Sequence, residues 1–224
     1  LPTHFNLTQP RQATNKIFHL ENVVCQQNHH ILLQAPSWDF NDGITTLTGA
    51  NGSGKSTLLR SMVQLHPYQG RMFLGQQRLR RRKRLYQTMT LAVQDAAKQF
   101  VTLTLADELA FGPALPAAVR EKQQAALAYL GLADKQTTSL YQLSEGQKKM
   151  VQLIAMLSLD LSFLLLDEPF SGLDDRACQY FAAWIKAKSA TQAFLIVTHR
   201  LAPLAGISQQ QVLLANQRLQ VVQG

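Results

Sequence analysis

Cysteine is nearly absent. The 224 residues include two, Cys25 and Cys178, and no C-x-x-C pair, so neither a disulfide framework nor a structural zinc site is expected. A reducing cytosol fits that usage. Long apolar runs are missing as well. The richest stretch, Leu153 to Leu166, is interrupted by Ser158, Asp160 and Ser162, short of the ~18 apolar residues that a membrane-crossing helix needs. We therefore expect a chain that is soluble by itself and reaches a membrane only through a partner. No charged-then-apolar leader opens it. Leu1 stands where a Met would begin, so a trimmed or incomplete N-terminus is expected. Internal repeats are absent, and the Gln-rich patches are too short to count as low complexity. Acidic residues are scarce, 14 against 22 Lys and Arg, but the imbalance is local. Without the six positive charges of Arg78–Arg84 the formal net charge falls from +8 to +2. Overall basicity is thus a poor argument for nucleic-acid binding. The run reads as a solvated loop, or as a contact for anionic lipid headgroups or an acidic partner. Only Tyr86 supplies an aromatic beside it, which disfavours a nucleic-acid patch.

What the chain does have is 46% apolar residues, enough for one domain with a sizeable core, and a loop of unusual composition. Gly49-Ala50-Asn51-Gly52-Ser53-Gly54-Lys55-Ser56 is G-x-x-x-x-G-K-S, followed by Thr57-Leu58-Leu59-Arg60. The β-branched run Ile44–Thr48 before it predicts a buried strand, and Lys55 to about Leu65 lacks Gly and Pro and predicts a helix. This is the strand–loop–helix setting of a phosphate-binding Walker A loop. Glycines let several backbone N–H groups converge on a phosphate, and the helix N-terminus adds positive potential. Lys55 is expected to reach the β- and γ-phosphates, and the Ser56 hydroxyl to sit on Mg²⁺.

Around that loop the pattern alternates between strands and helices. Ile17–Val24, Ile31–Leu33, Gln69–Leu74 and Leu91–Val93 read as strands, with Asn41-Asp42-Gly43 as a turn. From Thr104 the spacing becomes helical, stops at Gly112-Pro113, and resumes from Ala117 to Leu130 before Gly131. Ser144-x-x-Gln147 predicts a capping box on a helix reaching about Leu159. Arg176–Ser189 is amphipathic, with Phe181, Trp184 and Ile185 on one side. Ala193–Val197 is a buried strand, and Val212–Leu214 with Arg218–Val222 a closing hairpin around Ala215-Asn216-Gln217. The expectation is an α/β P-loop NTPase fold with a mainly parallel core sheet, an antiparallel β edge subdomain and an inserted helical subdomain at about 100–160. Residues 1–224 would be a single domain.

Phe163-Leu164-Leu165-Leu166-Asp167-Glu168 reads as a Walker B strand. An apolar parallel strand delivers carboxylates at its C-terminal edge, where α/β proteins bind ligands. Asp167 is expected on Mg²⁺, and Glu168 beside the γ-phosphate as general base toward the attacking water.

With both phosphate motifs in view, the chain resembles the nucleotide-binding subunits of ABC transporters. Leu143-Ser144-Glu145-Gly146-Gln147 is similar to their signature, Asp167 through Asp174 to Walker B running into the D-loop, Gln94 to the Q-loop glutamine, and His199 in Ile196-Val197-Thr198-His199-Arg200 to the switch histidine. The resemblance covers about Ile17 to Arg218. It implies that ATP is sandwiched between two subunits, alike or different, each Walker A facing the other's signature. Gly49, Asn51, Gly52, Ser53, Gly54, Lys55, Ser56 and Thr57 would then hold ATP in cis. Ser144, Gly146 and Gln147 would contact it in trans, and Asp174 would cross the interface. Gln94 would touch Mg²⁺ or the water, and His199 the γ-phosphate.

A narrower resemblance lies in Thr104-Leu105-Ala106-Asp107-Glu108-Leu109-Ala110-Phe111-Gly112-Pro113 and Asp95–Phe100, which look like the energy-coupling-factor (ECF) and cobalt/nickel-type importer ATPases. It implies an integral membrane scaffold subunit, a small membrane subunit binding a vitamin or metal ion, and a peripheral place on the cytoplasmic face of the membrane. Asp107-Glu108 would lie near the scaffold's basic coupling helices, or simply favour a helix N-terminus. No direct nucleic-acid partner is expected. The alternatives are another ABC transporter class, a soluble ABC ATPase acting on nucleic acid or ribosomes, which would usually need tandem domains or a coiled-coil insertion, and a binding-only regulator, against which Glu168 and His199 speak. Three departures stand out. Glu145 replaces the commoner signature Gly. The position expected to stack on adenine, near Gln26 or Gln27, is not aromatic, with Phe18, His19 and His29 as nearby substitutes. Little room is expected after Val222 for the C-terminal extension of longer members.

Overall fold

The computed structural model describes residues 16–80 and 83–222. Arg81 and Arg82 of the basic run thus lie outside the described residues. Among the described residues, ten strands fall into two sheets. In the first, β1 (Lys16–Gln27) pairs antiparallel with β2 (His30–Asn41) on one side and β4 (Tyr68–Leu74) on the other, and the two-residue β5 (Gln77–Arg78) closes a hairpin with β4. In the second the order is β10 (Arg218–Val221), β9 (Gln210–Ala215), β3 (Ile44–Thr48), β8 (Ala193–Val197), β7 (Phe163–Asp167), β6 (Met89–Ala92). All neighbours there run parallel except the β9–β10 hairpin. Between β6 and β7 the chain is helical, with α2 (Leu105–Ala110), α3 (Ala117–Tyr129) and α4 (Glu145–Ser158). The remaining helices are α1 (Lys55–Met62), after β3, and α5 (Asp175–Lys188), after β7.

The parallel strands read as unbroken apolar runs because both of their faces are covered. Leu164 and Leu166 of β7, with Phe194 and Ile196 of β8, join a core shared with α2–α5. Their alternate neighbours Phe163, Leu165, Leu195 and Val197 join a second core with α1 and the antiparallel sheet. The helical insertion and the antiparallel sheet therefore clamp opposite faces of one sheet, and the C-terminal ends of β3, β6, β7 and β8 stay open.

Several boundaries differ from the sequence expectation. β2 runs twelve residues rather than three. Leu33, Ala35 and Phe40 point inward while Gln34, Pro36 and Ser37 do not, and Pro36 is tolerated because β2 is an edge strand. α1 stops at Met62, and Gln64 follows at φ 62°. Asp174 caps α5, its carboxylate accepting the Ala177 N–H at 2.7 Å. Phe181, Trp184 and Ile185 are buried, as their spacing predicts. The closing hairpin turns through Asn216 (φ 49°) and Gln217 (φ 63°), the positive φ pair of a two-residue hairpin turn. Asp107 and Glu108 make local bonds. Asp107 pairs with its helix cap Thr104 at 2.6 Å, and Glu108 accepts from the Val101 and Thr102 N–H groups at 3.1 and 3.0 Å.

Candidate active site

The loop from β3 into α1 is shaped by backbone approach. A Cβ on Gly49 would meet the Leu214 carbonyl at 2.5 Å, and one on Gly54 would meet Leu32 Cβ at 2.7 Å; Gly54 also holds φ 103°. Larger residues at these two positions would push the loop off β9 and β2. Gly54 caps α1 without any side-chain hydrogen bond, so the first N–H groups of the helix are available to an anion. Lys55 is buried, and its ammonium donates to the Gly49 and Ala50 carbonyls at 2.8 and 2.9 Å. Burial lowers its pKa, with Glu168 and Asp167 opposing. The Ser53 hydroxyl is buried and has no hydrogen-bond partner, an unmet polar group inside the loop that an incoming phosphate oxygen would satisfy.

A cleft of about 680 Å³ opens over this loop. Asn51, Gly52, Ser53, Gly54, Lys55, Ser56 and Thr57 line it from below, and Gln94, Asp167, Glu168 and His199 from the ends of β6, β7 and β8. Asp167 is buried, which raises its pKa, while the Ser56 hydroxyl bonded to it and the charges of Arg60, Lys149 and Lys55 pull the other way. Glu168 follows at φ 49°, a left-handed conformation that a side chain with a Cβ adopts at a cost. That conformation turns the carboxylate toward the end of β8. The His199 N–H donates to Glu168 Oε2 at 3.3 Å, and His199 Nε2 lies 3.5 Å from Oε1.

Gly49, Ser144, Gly146, Gln147 and Asp174 do not line this cleft. Ser144 and Gln147 form the expected capping box at the start of α4. Gly146 has a structural reason of its own, since a Cβ there would sit 2.7 Å from the Gly172 carbonyl. Glu145 is paired with Lys148 at 2.7 Å. Of the residues that the sequence offers for the adenine side, Gln27 lines the cleft together with Leu32. Phe18 is in the core, and His19 pairs with Asp39 at 2.7 Å in a separate groove. His29 is an exposed turn residue.

Arg200 and Lys149 carry structure that the motif reading passed over. The Arg200 guanidinium donates to the Phe170 and Leu173 carbonyls at 3.1 and 2.6 Å and to Asp175 at 2.8 Å. It thereby ties the loop of His199 to the loop after Glu168. Lys149 donates to the Gln94 carbonyl at 2.6 Å.

The family model described as ABC transporter matches residues 33–171. The chain belongs to the ABC transporter family. Among its ABC relatives is the ATP-binding protein YkoD of Bacillus subtilis strain 168, named for HMP/thiamine import, 38% identical over 170 residues. The match covers 73% of this chain but only 31% of YkoD's length. The ATP-binding protein CysA of Chlorella vulgaris, named for sulfate/thiosulfate import, is 32% identical over 188 residues, covering 80% of this chain and 78% of CysA. Among solved ABC structures, CbiO1 of Clostridium perfringens, described as part of the CbiONQ transporter complex, superposes with a TM-score of 0.73 at 20% identity, over 94% of this chain and 88% of CbiO1. That similarity shows the fold. The chain is an ABC ATPase domain with a P-loop NTPase core, and no helix among its described residues is long and apolar enough to cross a membrane.

Proposed function

We propose that this chain is the ATP-hydrolysing motor of a membrane importer of the ECF type, serving a micronutrient such as a vitamin or a transition-metal ion. The observation that carries the chemistry is the meeting of Lys55, Ser56, Asp167, Glu168 and His199 at one end of the parallel sheet. In this reading residues 1–224 work as one nucleotide-binding domain with its helical insertion at about 100–160. The triphosphate lies on the N–H groups of the loop and of α1, with Lys55 against its β- and γ-phosphates and the Ser53 hydroxyl finding a partner. The base lies between Gln27 and Leu32.

The Ser56 hydroxyl, the buried Asp167 carboxylate and the Gln94 side chain form an all-oxygen donor set that suits Mg²⁺, which commonly binds through one or two carboxylates plus substrate phosphates. When bound, Mg²⁺ neutralises charge building on the phosphate oxygens. Glu168 accepts a proton from water as the water oxygen bonds to the γ-phosphorus. The bond from that phosphorus to the bridging oxygen breaks, leaving ADP and inorganic phosphate. His199 faces the same region and donates to the γ-phosphate oxygens as they gain charge.

Ser144, Gly146 and Gln147 lie outside their own cleft and serve that of a second ATPase subunit, identical or related, with Asp174 at the interface between the two. Glu145 is turned to Lys148 and so does not face the partner's phosphate as a bare charge. ATP touches both subunits and so favours the closed pair, and hydrolysis releases it. That cycle moves an integral membrane scaffold, with a substrate-binding membrane subunit beside it and this chain peripheral on the cytoplasmic side. Import-named relatives and the fold shared with CbiO1 support the importer reading.

The test pairs purification from membranes with one substitution. The wild type is expected to co-purify with a multi-span subunit and hydrolyse ATP, while Glu168→Gln binds ATP but loses turnover. Turnover that survives Glu168→Gln, or a wild type inert even with its membrane partner, contradicts the reading.

A further inference from the structure

Gln94 leaves the end of β6, and β6 is the last strand of its sheet. Among the described residues its outer backbone edge has no strand to pair with, and a bare edge of this kind leaves N–H and C=O groups without partners. Here three side chains replace the missing strand. The Gln99 amide donates to the Leu91 carbonyl at 2.7 Å and accepts the Val93 N–H at 3.2 Å. Gln152 of α4 donates to the Val93 carbonyl at 2.9 Å and to Gln99 Oε1 at 2.6 Å. Lys149, one turn earlier on α4, donates to the Gln94 carbonyl at 2.6 Å, to the Val93 carbonyl at 3.3 Å and to Gln152 Oε1 at 3.0 Å.

Lys149 and Gln152 are 4% and 1% exposed, so these bonds form away from water, where each unmade one is costly. Burial lowers the Lys149 pKa, and Asp167, Asp95, Glu168 and Glu145 hold the charge. The same helix carries Ser144 and Gln147 at its first turn. One rigid element thus bears the signature at its tip and, less than two turns on, grips the backbone of Gln94.

We propose that Lys149 and Gln152, with Gln99, are positioning residues that fix Gln94 in the active site and make its position follow that of the signature helix. This rests on the reading of Gln94 as an active-site group. Engagement of the signature by a partner's nucleotide then shifts Gln94 in the chain's own cleft through the 2.6 Å bond to its carbonyl. The hydrogen bonds of the grip reach the catalytic centre through Gln94, while the charge of Lys149 also acts on Asp167 directly.

The test uses Lys149→Met and Gln152→Leu in the full-length chain, singly and combined with Gln94→Ala. Gln152→Leu keeps the lysine and carries the test even where Lys149→Met folds poorly. Hydrogen exchange at the Val93 amide is expected to speed up at least about tenfold in both variants, while amides of β7 and β8 keep their protection. For ATP turnover, kcat is expected to fall about tenfold, since small misplacements of an active-site group are costly, with KM within about twofold. On the Gln94→Ala background Gln152→Leu, which leaves the Lys149 charge near Asp167 in place, should add nothing, because the two act as one unit. A further additive loss of turnover from Gln152→Leu, or loosening of β7 and β8 in either variant, marks a merely structural role and overturns the proposal. If Gln94→Ala lowers kcat while Lys149→Met and Gln152→Leu do not, the positioning inference alone fails. If Gln94→Ala itself leaves kcat unchanged, the active-site reading of Gln94 fails and the inference with it.

Discussion

The proposed seat of the base, beside Gln27 and Leu32, can be tested through the strength of nucleotide binding. Gln27 is the last residue of β1, fixed by its register opposite His30 and by the tight turn through Asn28 and His29. Leu32 is held against Gly54. Among the described residues no Phe, Tyr or Trp lines the cleft, so an adenine there gains an amide and a branched alkyl group rather than a π-face. Gln27→Tyr puts a ring at that position. Base–aromatic stacking is worth about 1–3 kcal/mol, and because Gln27 is solvent-exposed the lower end applies. About 1 kcal/mol corresponds to roughly fivefold in Kd. The assay is calorimetric titration of ATP and of GTP into Glu168→Gln and into Glu168→Gln/Gln27→Tyr. Both nucleotides should tighten by about fivefold, since stacking is tolerant of base identity. Gln27→Ala should weaken either by less than about threefold, because an exposed amide hydrogen bond adds under ~1 kcal/mol. An unchanged ATP affinity in the Tyr variant, or a tenfold loss in the Ala variant, would refute the placement of the base beside Gln27.

Three further outcomes follow from side chains elsewhere. Burial pushes the Lys188 pKa down to about 8 from a model-peptide value of about 10.4, so between those pH values the unfolded chain binds more protons and stability rises with pH. Urea unfolding should show a gain on the order of 3 kcal/mol from pH 8 to 10.5 in wild type and a flatter profile in Lys188→Met; equal profiles would contradict it. Gly146→Ala should push the start of α4 off the Gly172 carbonyl, lowering turnover severalfold while ATP affinity measured by titration is unchanged. Arg200→Met removes the guanidinium bonds to the Phe170 and Leu173 carbonyls, leaving them the weaker Leu173 N–H and Cys178 thiol, and should cost about 1–3 kcal/mol in urea unfolding, with turnover reduced as the His199 loop loosens.

Features that depend on neighbouring residues in sequence were readable from it. The Gly49–Ser56 loop, the apolar strand ending at Asp167, the Ser144–Gln147 capping box and the buried face of α5 are each written within one turn or one strand. The length of β2 was not, because on an edge strand Gln34, Pro36 and Ser37 face outward and look like a loop. Lys149 was hidden for a different reason. A lysine on an amphipathic helix reads as solvated, and its burial is decided by carbonyls some 55 residues earlier in the chain. Gly146 looked purely functional until its contact with Gly172 appeared. The strained φ of Glu168 arises from the junction of β7 with the end of β8, which no local pattern encodes. Arg200 follows the motif histidine, and its role in binding the neighbouring loop depends on carbonyls some 30 residues earlier in the chain.

In the proposed function this cleft is half of an ATPase site and is completed by the signature of a second subunit. Initial turnover per chain, measured against protein concentration across the range where sedimentation shows monomer passing to the ATP-bound pair, tests it most directly. Turnover per chain is expected to be near zero for the monomer and to rise with the fraction paired, whether the second subunit is another copy or a related chain added in trans. Strong turnover by a strict monomer, independent of concentration, would contradict it.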